Sequence, residues 1–170
     1  MGAADAAWCV PCRRCLHHRS HFRPSLLSLC RSHELELLLQ EGELLEALKL
    51  AETRTKAAPT GRGAGCSSPE LCAVLVMAKC HLLGGQPISA LPHALEAVAL
   101  SEAASRHSHL ARAHLLLAEV QLEISASRAL ALLRDVRPHV AQHGSTYEHA
   151  QLQLLTAKAR LAAFSPYEEA

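Results

Sequence analysis

From position 71 onward the apolar residues of this chain fall in steps of three and four. Leu71, Val74, Leu75, Ala78 and Leu82 share one face of a helix with 3.6 residues per turn. The run GGQP, Gly84 to Pro87, ends that helix: Gly84 suits a left-handed C-terminal cap and Pro87 cannot continue the old ladder. Leu91, Leu95 and Val98 make a second stripe, in which Pro92 requires a start near Ser89 or a kink. Leu110, Leu117 and Val120, with Leu115, Ala118 and Leu122 beside them, predict a third helix. Its apolar face is wide enough to be covered on two sides. Ile124 to Ser127 read as a turn, and Leu130, Leu133, Val136 and Val140 as a fourth stripe with Pro138 inside and Gly144 at its end. Ser145 and Glu148 stand at capping-box spacing. Tyr147, Ala150, Leu154, Ala157, Leu161 and Phe164 then complete a fifth stripe.

Upstream the pattern divides the chain. Residues 25–52 are periodic and predict a helical hairpin. Residues 53–69, TRTKAAPTGRGAGCSSP, hold almost no large apolar group and predict a flexible loop. Residues 1–24, rich in Cys, Arg and His, show no period and are expected to be irregular and disordered. Residues 70–164 carry the helical array, and 165–170 form a tail.

The array repeats itself. Ala78, Ala118 and Ala157 stand 40 and 39 residues apart, one in the first helix of each pair. Ala90 and Ala129, which open the second helices, are 39 apart, and Ala47 takes the same place within ELELLLQEGELLEALKLAE. Antiparallel helices approach most closely where a side chain is missing. Paired helices with such small residues are the mark of tetratricopeptide-type repeats, although the usual period is about 34. No unit of this kind buries its own apolar face, so the units must stack. The expected fold is all-α, with antiparallel helix pairs stacked as a tetratricopeptide-like solenoid.

A resemblance carries this further. The stretch LARAHLLLAEVQLEISASRALALLRDVRPHVAQHGSTYEHAQLQLLTAKARLA resembles the C-terminal repeats of the family of the fifth subunit of the anaphase-promoting complex. MAKCHLLGGQPISALPHALEAVALSEA is similar to the preceding repeat of that family. The similarity spans about residues 70–164 and, more weakly, 25–52; residues 1–24 do not match. Family members are much longer, so this chain looks like a fragment or a short form. The resemblance implies a non-catalytic scaffold in a large ubiquitin ligase that controls the cell cycle. Its partners would be the other subunits of that complex, and its location the nucleus and cytoplasm. A free-standing adaptor holding a peptide is the alternative.

Composition changes this picture little. Apolar residues make up 49% of the 170 and aromatics 3%, so the core must be built from Leu, Ala and Val, which favours helix over sheet. A net charge of +1 gives no long-range pull on nucleic acid or anionic membrane. No apolar run reaches the roughly 20 residues of a membrane span. The last stripe has no following helix to cover it, so Tyr147, Leu154, Leu161 and Phe164 are the candidate partner interface. They are also the expected route to self-association.

Candidate chemistry is sparse, and no catalytic residue, cofactor or metal is expected. CVPCRRCLHH offers Cys9, Cys12, Cys15 and His18 as zinc ligands, with His17 and His21 nearby. A zinc site wants four tetrahedral ligands, usually in two half-sites separated by a folded segment, and here the ligands crowd into one run. A small zinc-binding protein is therefore the third reading. His139 and His143 share a helix face, but no third ligand is evident and both are expected to be solvated. Cys30 and Cys66 belong to no recognisable arrangement, and Cys72 and Cys80 read as small core residues. GRGAG, Gly61 to Gly65, lacks the strand and helix of a phosphate loop. Arg106, Arg112, Glu119, Arg128, Arg134 and Asp135 read as solvated helix faces, some of them lining a groove.

Overall fold

The structure, a computed structural model, describes residues 33–56 and 68–164. Within them the chain is helical, with no strand. Helix α1 covers residues 33–40, α2 Leu44–Lys56, α3 Ser68–Leu83, α4 Pro87–Ala103, α5 His107–Ile124, α6 Ala126–His143 and α7 Thr146–Ala163. None of these helices is long and apolar enough to cross a membrane.

The turns show why the helices stop where they do. Gly42 and Gly85 adopt φ of +80° and +70°, a conformation that costs a side chain about 1–2 kcal/mol. At Gly85 the chain reverses so that Gly85 N–H donates to Leu82 O at 3.0 Å and Gln86 N–H to His81 O at 2.9 Å, which satisfies carbonyls left over at the helix end. The left-handed cap thus falls on Gly85, one residue beyond the expected Gly84. Ser105 makes the same turn at φ 51° in spite of its Cβ, with Arg106 N–H donating to Ser101 O at 3.1 Å. The turn expected over Ile124 to Ser127 shrinks to Ser125 alone. The capping box at the start of α7 is present: Ser145 N–H donates to Glu148 Oε2 at 2.6 Å and Glu148 N–H to Ser145 Oγ at 3.4 Å.

The loop expected over 53–69 is helical at both ends. The α2 helix continues through Lys56, and Arg54 in its last turn pairs with Glu34 of α1 at 2.7 Å, which ties that end of α2 to its neighbour. The α3 helix begins at Ser68, and Pro69 fits a first turn, where its missing N–H leaves no bond unmade. Residues 57–67 lie outside the described residues. Helix α4 begins at Pro87, two residues before the expected start, with the ring at a preorganised first position. Pro92 and Pro138 lie inside α4 and α6, which continue past them. Ile88, whose carbonyl loses its partner to Pro92, is exposed to water.

Each of α2 to α6 packs on its successor, and α3 with α5 and α5 with α7 also touch; no pair further apart among α2 to α7 does. Three overlapping cores result. Leu35 and Leu38 of α1, Ala47 and Ala51 of α2 and Ala73, Val76, Met77 and Cys80 of α3 form the first. The other face of α3, Leu71, Val74, Leu75 and Ala78, meets Ala90, Ala94 and Ala97 of α4 and Ala113, Leu116, Leu117 and Val120 of α5. The opposite face of α5, Ala111, Leu115 and Ala118, meets Ala129, Leu133, Val136 and Val140 of α6 and Leu152, Leu155 and Ala159 of α7. The wide apolar face of α5 is therefore covered on two sides, as its sequence predicts.

Two registers differ from expectation. In α4 the buried positions are Ala90, Ala94, Ala97 and Ser101, while Leu95 is exposed and Leu91 and Val98 lie at the edge of the core. Alanine lets the α4 backbone approach its neighbours, which leaves the larger residues nowhere inside to go. In α7 the expected small contact, Ala157, faces solvent, and Leu155 takes the place that Leu75 and Leu115 hold at a spacing of 40. Thr156 is buried beside it because its hydroxyl donates to Leu152 O at 2.7 Å.

Candidate functional site

The odd-numbered helices present one continuous groove. A cavity of about 490 Å3 is lined by residues of α1, α3, α5 and α7 and by none of α2, α4 or α6. Its apolar walls include Leu39, Leu75, Val76, Leu83, Leu116 and Tyr147. Four of its five charged side chains pair across helices. Lys79 of α3 donates to both oxygens of Glu119 of α5, at 2.8 and 2.7 Å. Arg112 of α5 reaches past α3 to Glu36 of α1 at 2.8 Å. The latter pair is largely exposed and worth under about 1 kcal/mol, so its effect is to hold side chains in place rather than to stabilise the fold. Glu148, bonded to Ser145 in the cap of α7, leaves the groove one acidic side chain in excess.

Of the charged residues singled out in the sequence, Arg112 and Glu119 line this groove. Arg128, Arg134 and Asp135 are exposed and Arg106 half-exposed, away from it. Cys72 lines the groove, half-buried, whereas Cys80 is buried in the first core and burial raises its thiol pKa. Cys9, Cys12, Cys15 and His18, with His17, His21, Cys30 and Cys66, lie outside the described residues.

The α7 stripe faces outward. Tyr147 is 72% exposed, Leu154 55%, Leu161 75% and Phe164 85%. Tyr147 belongs both to this stripe and to the groove wall.

A histidine cluster lies elsewhere. His139 and His143, one helical turn apart on α6, meet His107 at the start of α5, and one nitrogen from each lies within 4.8 Å of the others. The His107 and His143 rings stack with centroids 4.5 Å apart and planes at 16°. His139 Nε2 lies 3.0 Å from the His107 carbonyl oxygen, and His114 meets the His139 ring edge-on at 6.2 Å. Desolvation lowers the His143 pKa, with repulsion from His107 and His139 adding to it; His114 is lowered by burial and then by His139. His139 and His143 are thus not merely solvated: they gain the third nitrogen that their own spacing cannot reveal. A signal for it exists. The α5–α6 hairpin turns on Ser125, and His107 and His143 each stand 18 residues from it.

Comparison with family models, with curated proteins and with solved structures finds no match to this chain.

Proposed function

We propose that this chain is a non-catalytic interaction scaffold, a tetratricopeptide-like solenoid whose odd-numbered helices form the inner, partner-binding wall. The observation that carries the reading is the groove lined by α1, α3, α5 and α7 alone. Stacked helix pairs put the same member of each pair on the concave side, and such repeat arrays use that side for binding. The pattern of helix contacts supports it, since each core involves three consecutive helices and none joins distant ones. With four of its five charges paired across helices and an apolar wall between them, the groove suits an extended or helical peptide that inserts apolar side chains. The further proposal is that this scaffold belongs to that ubiquitin ligase, in nucleus and cytoplasm; its support is the sequence resemblance to the fifth-subunit family of the anaphase-promoting complex.

Affinity purification of the full chain from dividing cells, with mass spectrometry of bound proteins, tests both levels. Recovery of ligase subunits supports the complex. Recovery of one other partner supports a free-standing adaptor. The groove itself is tested by the Leu83→Glu and Tyr147→Glu variants, which place charges on its apolar wall. Partner recovery unchanged in both variants would remove the groove from the proposal.

A further inference from the structure

We infer that His107, His139 and His143 form a binding site for one divalent transition-metal ion, zinc in the first place, which ties the start of α5 to the end of α6. Imidazole nitrogen is a ligand suited to zinc, copper and nickel, and three nitrogens with one open position make a known kind of zinc site. A tetrahedral zinc ion with bonds near 2.0–2.1 Å holds its ligand nitrogens about 3.3 Å apart. The three nitrogens here lie within 4.8 Å of one another, so the rings must close by up to about 1.5 Å. That closure needs only side-chain rotation: His107 is exposed, and His139 and His143 are half-exposed.

The surroundings favour ligation over a plain stack of rings. A carbonyl oxygen only accepts, so the 3.0 Å contact from His139 Nε2 to His107 O requires Nε2 to carry the proton. The neutral His139 ring then keeps its lone pair on Nδ1. Donating the other ring N–H to a backbone carbonyl is the usual way in which proteins orient a metal-binding histidine. The His114 ring lies edge-on to the His139 ring, with centroids 6.2 Å apart. The site is separate from the groove, for none of the three histidines lines it. Its rigid basis is the hairpin itself, in which a single residue joins two 18-residue helices and fixes their register.

The test is isothermal titration of the full chain with zinc chloride, compared with the His107→Ala, His139→Ala, His143→Ala triple variant. The variant should lose one equivalent of zinc while its circular dichroism stays unchanged. A Cys9→Ser, Cys12→Ser, Cys15→Ser variant should keep that equivalent. If the triple variant does not fold, the single exposed change His107→Ala serves, and should weaken zinc binding about tenfold or more. As an independent reading, copper(II) chloride added at one equivalent should give an electron paramagnetic resonance spectrum with nitrogen hyperfine structure. The inference is overturned if wild type takes up no zinc, or if the histidine variants bind the same number of equivalents with the same affinity. In either case the three rings are a stacked pad and nothing more.

Discussion

Replacing Gly144 with Ala sets two effects of known sign against each other. Gly144 lies between α6 and α7 at φ −78° and ψ 148°, an ordinary extended conformation open to any residue. By backbone freedom alone, Gly→Ala should stabilise the protein by about 0.4–1 kcal/mol through a less flexible unfolded chain. Space argues the other way. A Cβ on Gly144 would stand 2.6 Å from the Val140 carbonyl oxygen and 2.9 Å from Val140 Cγ1. The oxygen belongs to the backbone and accepts the Gly144 N–H at 2.8 Å, and Val140 is fully buried, so neither can move aside freely. Overpacking of this kind costs about 1–3 kcal/mol. The steric term should win, with a net loss of about 1–2 kcal/mol. For a chain of this length that lowers Tm by roughly 2–8 °C. Thermal unfolding followed by circular dichroism at 222 nm measures it. A variant as stable as wild type, or more stable, would refute the argument that the α6–α7 turn needs a residue without a side chain.

Three further outcomes are expected. Ser105→Gly should raise stability by about 0.5–1 kcal/mol in urea denaturation, since it relieves a left-handed non-glycine residue at the price of some chain entropy; a loss of stability would count against the strained turn. Leu154→Glu with Leu161→Glu should reduce self-association in analytical ultracentrifugation without loss of helix, because both residues are exposed on α7; a wild type that is monomeric at high concentration would refute the exposed stripe as a sticky face. Stability should fall as pH drops below about 6.5, where unfolded imidazoles take up protons that the folded chain resists. His109 is held down by burial, then by Arg106 and Arg112 against an opposing Glu148, and His114 by burial, then by His139 against an opposing Glu102. Urea midpoints at pH 7.5 and 5.5 should differ in wild type and less so in the His109→Gln, His114→Gln variant; equal differences would remove these two groups as the cause.

Helix existence was legible because Leu71, Val74 and Ala78, or Leu133, Val136 and Val140, keep one period and one core. The capping box was legible because it is a local hydrogen-bond device, complete within four residues. Face assignment failed where a helix carries apolar groups on two sides. In α4 the large residues Leu95 and Ile88 lie outside while Ala90, Ala94 and Ala97 lie inside, and in α7 two stripes compete while the one with Thr156 is buried. Counting large apolar residues cannot detect a face that wins by closeness of approach. The paired charges of the groove and the third histidine were hidden for a different reason. Glu36 and Arg112 are 76 residues apart, and His107 and His139 are 32 apart; only the register of the packed helices joins them.

The three overlapping cores also set an order of assembly during synthesis. The first core draws on Leu35 to Cys80, the second on Leu71 to Val120 and the third on Ala111 to Ala159. Each closes within its own short stretch of chain, so little loop entropy delays it and folding can keep pace with elongation. A nascent chain that has emerged as far as Val120 already owns every residue of the first two cores. At that moment Ala111, Leu115 and Ala118 still have no cover, because α6 and α7 have not left the ribosome. That half-clothed α5 is the interval in which a chaperone has something to hold. Ribosome-bound chains stalled after Val120 should bind a holding chaperone that lets go once Ala159 has emerged; equal binding at both lengths would speak against this order.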